Sequence, residues 1–182
     1  MAQTWRMSRP PRRPLPPLDQ PALERAALRY VERYATTRAK LAAYLTRKLR
    51  ERGSEGPVDV VGLADRMAEL RYVDDRAFAE MRAAAMTRRG LGARRVHDAL
   101  RHAGVGQEDA GAVADTLDDA AEAAALAFAR RRRIGPFALA PVERDRREKQ
   151  VAAMVRAGHA PALARRILSL DPADIDEVVL PE

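Results

Sequence analysis

Arg88, Arg89, Arg94 and Arg95 crowd around two glycines, Gly90 and Gly92. A guanidinium presents a rigid fork of N–H donors that matches the oxygens of a phosphate or a carboxylate. Four of them around a helix start could hold DNA phosphates, assisted by the free backbone N–H groups of that terminus, or pair with acidic side chains of a partner. The run Arg130, Arg131, Arg132 and Arg133 offers the same chemistry, although part of it complements the dipole at a helix C-terminus. Arg146, Arg147 and Lys149 form a third set, interleaved with Glu143, Asp145 and Glu148, so pairing within the segment is expected there. These cations are the candidate partner-binding and DNA-binding residues, and the plain alternative for each is a solvated face.

Other chemistry is thinly represented. Asp74 and Asp75 are adjacent, so on a helix start they point in different directions; a capping role for Asp74 accounts for it better than a metal or catalytic pair. His97, His102 and His159 lack the i, i+4 partner of a helical metal site and are expected on the surface or between helices. With no cysteine there is no disulfide framework, thiolate nucleophile or Cys-type zinc site. No Walker-type glycine-rich loop appears. The expectation is a non-enzyme without catalytic residues, metal or cofactor.

The 182 residues carry a formal charge of +7, an argument for an anionic polymer as partner. The apolar residues are mainly Ala and Leu with few aromatics, which favours close-packed helices over a sheet and makes the chain all-α. No apolar run is long enough to span a membrane, and residues 1–18 hold Arg and Pro where a secretory signal needs an apolar core. We therefore expect a cytoplasmic protein with no membrane contact. Residues 1–20 read as a disordered, basic, Pro/Arg-rich tail. Trp5 in that tail is simplest as a solvated residue, with base stacking or partner docking as the alternative.

Helix punctuation positions the cations. Asp74 can cap a helix carrying Ala77, Phe78, Met81, Ala85 and Met86, closed by Gly90 and Gly92; a second periodic run with Val96, Ala99, Leu100 and Ala103 ends at Gly104. Upstream, Pro21 opens a helix over roughly 21–35. Thr36 or Thr37 caps a second that ends at Gly53, and Pro57 opens a third. Downstream, helices are expected over about 107–119, 120–133 and 142–157, with Pro161 starting the last. Tyr30, Tyr34, Tyr72 and Phe78 fall on apolar stripes and are expected in the core rather than stacked on bases. The helix-ending glycines Gly53, Gly104 and Gly158 recur about every fifty residues, which implies a repeat. The expected organisation is a tail (1–20), three three-helix repeats (21–70, 71–119, 120–170) docked into an elongated, curved array, and an acidic C-terminal tail (171–182).

The segments LRYVDDRAFA at 70–79, RRGLGARRVHDALRHAG at 88–104, RRRRIGPF at 130–137 and RREKQVAAMVRAGH at 146–159 together resemble the RecX regulatory proteins of bacteria. The resemblance covers about residues 22–170. It implies three tandem three-helix repeats and no catalytic centre. It also implies binding to the recombinase RecA on single-stranded DNA, restraining filament growth, ATP hydrolysis and strand exchange in homologous recombination, DNA repair and the SOS response. Duplex DNA is a further candidate ligand, and a monomer is expected. The competing reading is a helix-turn-helix, sequence-specific transcriptional regulator, because a three-helix unit with Arg at a helix start also describes one.

Overall fold

A computed structural model of the chain describes residues 16–140 and 142–175. The expectations for residues 1–15, including Trp5, and for the acidic tail beyond 175 lie outside the described residues. Among the described residues the architecture is all-α: α1 (Gln20–Val31), α2 (Arg38–Arg52), α3 (Val60–Glu69), α4 (Asp75–Arg88), α5 (Ala93–His102), α6 (Gln107–Gly111), α7 (Ala114–Asp119), α8 (Ala121–Arg132), α9 (Arg144–Arg156) and α10 (Pro161–Leu168). The only extended pairing among them is an isolated bridge between Leu18 and Ser54.

Four helices start on a side-chain oxygen that accepts from a free N–H of the first turn. Asp19 accepts from Ala22, Thr37 from Lys40, Asp59 from Gly62 and Asp74 from Ala77. The third of these moves the start of α3 from the expected Pro57 to Val60, because the Asp59 carboxylate satisfies a free donor and proline satisfies none. α1 is shorter than expected, since Thr37 must adopt extended backbone to cap α2 and the chain leaves the helix after Val31. Tyr34 consequently leaves the apolar stripe and is 51% exposed. Tyr72 is also exposed, in the loop where Arg71 takes φ +60 after α3, whereas Phe78 is buried as expected. The single helix anticipated over 107–119 is two, α6 and α7, broken at Val113, whose side chain turns into the core.

The buried apolar residues form three clusters. One joins α1, α2 and α3 through Leu23, Leu41, Leu45, Leu63 and Met67. A second joins α4, α5 and α7 through Phe78, Met86, Val96, Leu100 and Leu117. A third joins α8, α9 and α10 through Leu126, Phe128, Met154 and Ile167. Each fully buried side chain of this kind contributes about 1.5–3 kcal/mol, and cores this small depend on the seams between them.

The two seams are built alike. At the first, the start of α2 meets the end of α5: the Thr37 hydroxyl donates to the Ala103 carbonyl, and Gly104 has no room for a Cβ against Ala39. At the second, the start of α5 meets the end of α9: Gly92 N–H donates to the Ala157 carbonyl (3.0 Å) and Arg94 N–H to the Gly158 carbonyl (3.3 Å). A Cβ on Gly92 would overlap the Gly158 carbonyl, and one on Gly158 would lie 2.5 Å from the Arg95 nitrogen. The corresponding end of α2 has Gly53 facing open space. There the segment before α1 covers the chain, with Leu18 N–H donating to the Gly53 carbonyl.

Candidate nucleic-acid interface

The second seam brings three elements together around one open groove of about 760 Å³. Arg95 reaches it from the first turn of α5. Arg131, Arg132 and Arg133 enter from the last turn of α8, where cations are favoured by the helix dipole. Arg146, Lys149 and Arg156 line it from one face of α9, at the three- and seven-residue spacings that share a helix face. No carboxylate among the described residues lines the groove. Among the described residues the ion pairs involve other cations and leave these seven free. Between the cations lie Leu91, Phe128, Ile134, Ala153 and Ala157, with the buried Gln150 among them. Phe128 is buried and carries the Arg132 guanidinium 5.8 Å above its ring. Seven cations without an acidic partner among the described residues make this groove strongly positive.

Comparison with known proteins places this architecture. No protein-family model matches the chain. It is 34% identical over 162 residues to the regulatory protein RecX of Myxococcus xanthus, covering 83% of this chain and 86% of that one. The chain belongs to the RecX family of regulatory proteins. A second RecX, from Agrobacterium fabrum, is 26% identical over 159 residues, covering 85% of each chain. The crystal structure of RecX from Lactobacillus salivarius aligns with a TM-score of 0.64 at 16% identity, covering 85% of this chain and 95% of that one. Another crystal structure titled regulatory protein RecX aligns at 0.62 with 19% identity, covering 81% of this chain and 70% of that one. Both structures share the fold.

Within this RecX-family chain the sequence-predicted cations do not form one site. Arg95, Arg131, Arg132, Arg133, Arg146 and Lys149 meet in the groove. Arg88 instead lines a smaller cleft between α4 and α7, and Arg147 lines a third cleft beside Leu168. Arg89, Arg94 and Arg130 lie outside the groove lining. Two expectations are corrected. At the start of α5 the N–H groups of Gly92 and Arg94 are not free to assist phosphate binding, because they donate to the carbonyls of Ala157 and Gly158. The expected pairing among Arg146, Arg147, Lys149 and their acidic neighbours is absent among the described residues, since the basic residues of one α9 face turn to the groove. Sequence reasoning misses Arg156; its signal is the seven-residue step from Lys149 along the same face.

Behind the groove the RecX-family seam is pinned by a buried histidine. His159 Nε2 lies 3.1 Å from the Gly90 carbonyl oxygen and the ring meets Phe128 edge-on at 5.6 Å. Its Nδ1 is buried without a partner among the described residues. Burial pushes the imidazole below its ordinary range, opposed by the bond to Gly90, so the neutral ring donating from Nε2 fits the site. The first seam has its own latch: buried Asp75 accepts from the Arg38 N–H (2.9 Å) and pairs with its side-chain Nε (3.4 Å). The two adjacent aspartates therefore have separate structural tasks, one capping α4 and the other tying it to α2. Among the described residues no group of three or more His, Asp or Glu side chains could hold a metal ion, and no helix is long and apolar enough to cross a membrane.

Proposed function

We propose that this RecX-family protein binds RecA filaments on single-stranded DNA and restrains them, with the basic groove at the junction of α5, α8 and α9 contacting the DNA backbone or an acidic face of the filament. The observation that carries the reading is the convergence of seven cations on a groove that, among the described residues, has no carboxylate and no ion pair. In this reading the three helical clusters are three copies of one unit, the protein acts as a monomer in the cytoplasm, and its context is recombinational DNA repair and the SOS response. Occupying the filament would slow subunit addition and strand exchange without any chemistry by this chain.

The competing helix-turn-helix reading would have the start of α5 enter a duplex major groove. Packing of Gly92 against Gly158 covers that terminus and argues against it. The test is to add the protein to RecA on single-stranded DNA and follow ATP hydrolysis and filament assembly. Wild type is expected to lower both, and the double reversal Arg131→Glu, Arg146→Glu to weaken the effect at least about tenfold in required concentration. No response at excess wild type would sink the reading.

A further inference from the structure

The groove leaves a second cationic surface unused, at the opposite end of the sequence. Three of the four tyrosines meet where α1 ends beside α2. Tyr30 and Tyr44 stack at 4.2 Å with their planes 18° apart, and Tyr34 tilts against Tyr30 at 5.2 Å. Tyr30 and Tyr44 are half-buried, whereas Tyr34, past the end of α1, is half exposed to solvent. These rings line an open groove of about 910 Å³ together with Arg29, Arg33, Arg47 and Lys48. One carboxylate, Glu32, lines it too, and Glu51 just beyond pairs with Arg47 (3.7 Å) and Lys48 (3.3 Å). Positive charge remains in excess, with Arg29 and Arg33 in no ion pair among the described residues.

We infer that this tyrosine cluster is a base-stacking subsite for single-stranded nucleic acid, with Tyr34 offering an open ring face to an unpaired base and the surrounding arginines holding the flanking phosphates. Aromatic rings interleaved with cations are the chemistry that non-sequence-specific single-strand binding uses, because every base has a π-face and every linkage a negative charge. A duplex presents no unpaired base to such a ring. An acidic peptide would use the cations and leave the ring unused, so the exposed tyrosine favours the nucleic acid. The inference concerns this chain binding bare strand and does not depend on RecA.

The test compares two fluorescently labelled strands of equal length and charge, an oligothymidine and an abasic deoxyribose-phosphate strand, by anisotropy with the full chain and no RecA. Wild type is expected to bind the oligothymidine roughly tenfold more tightly, the order of one stacked base. Tyr34→Ala should lower oligothymidine affinity to that of the abasic strand, and Tyr34→Phe, which keeps the ring, should retain the preference. The groove double reversal Arg131→Glu, Arg146→Glu should weaken both strands alike and leave their ratio intact, which separates this subsite from the groove. Equal affinity of wild type for the two strands, binding to neither, or an unchanged ratio in Tyr34→Ala with native circular dichroism would each overturn the inference. Complete displacement of the oligothymidine by polyglutamate at equal charge concentration would also overturn it, in favour of an acidic protein partner.

Discussion

Arg133 combines a structural cost with a place in the groove. It closes α8 at φ +53 and ψ +50, and the next N–H, on Ile134, reaches back to the Ala129 carbonyl at 3.1 Å. That hydrogen bond satisfies a helix-end carbonyl, and glycine is the residue that takes the left-handed position most cheaply. An L side chain there costs roughly 1–2 kcal/mol, so an arginine at this position is less stable than a glycine would be. Arg133→Gly is expected to stabilise the fold by about 0.5–1 kcal/mol, since glycine's larger unfolded-state entropy offsets part of the gain. The same variant should bind single strand more weakly. Urea unfolding and strand titration on one preparation check both; a more stable variant with unchanged binding would leave Arg133 as a helix terminator only. Individual residue types announced the candidate cations but not their grouping. Asp75 shows why: its partner Arg38 is distant in sequence and is supplied by a seam, so nothing adjacent to Asp75 marks it. Arg156 was missed although its spacing from Lys149 is a property of a single helix and so was available in the sequence.

The helices were legible wherever a cap and an apolar stripe agree, as at Asp74 with α4 and Pro161 with α10. Boundaries shifted where two local signals compete, as when the Asp59 carboxylate outranks Pro57, or where burial of one side chain overrides a continuous helical pattern, as at Val113. The glycines that end α5 and α9 read in sequence as ordinary helix stops. Packing gives them a second constraint, because their missing Cβ lets one helix end approach the start of another. Gly158 lies at φ +99 with the Arg95 nitrogen 2.5 Å from where a Cβ would sit. Gly158→Ala should therefore destabilise the protein by at least about 2 kcal/mol, combining backbone strain with a steric clash against main chain. Gly111 in α6 has open space and no left-handed backbone. Gly111→Ala should be neutral or stabilising by up to about 1 kcal/mol. Equal destabilisation of the two variants in urea would mean that the α5–α9 seam is not closely packed.

The formal charge of +7 has two possible arrangements, a diffuse field over the surface or a localised site. The acids decide between them. Glu122 holds Arg166 in a two-pronged pair at 2.8 and 2.9 Å, and its carboxyl is pulled below the ordinary range by that hydrogen bond; Glu51, Glu80 and Asp98 pair with cations on their own helices. Among the described residues the seven groove cations have no such partners and lie together on one surface, so part of the positive charge is localised there. Localisation makes a quantitative prediction. Removing one cation that neutralises a phosphate lowers the salt dependence of single-strand binding by about 0.7 in the slope of log K against log salt. Arg131→Ala with Arg146→Ala should flatten that slope by about 1.4, while Arg88→Ala with Arg89→Ala, which removes the same charge outside the groove, should leave it unchanged. All four side chains are exposed, so neither pair should alter stability by more than about 1 kcal/mol. The comparison holds net charge constant between the two variants, so position alone can separate them. Equal flattening by both pairs would show that the strand responds to total charge, and the groove would lose its claim to be the interface.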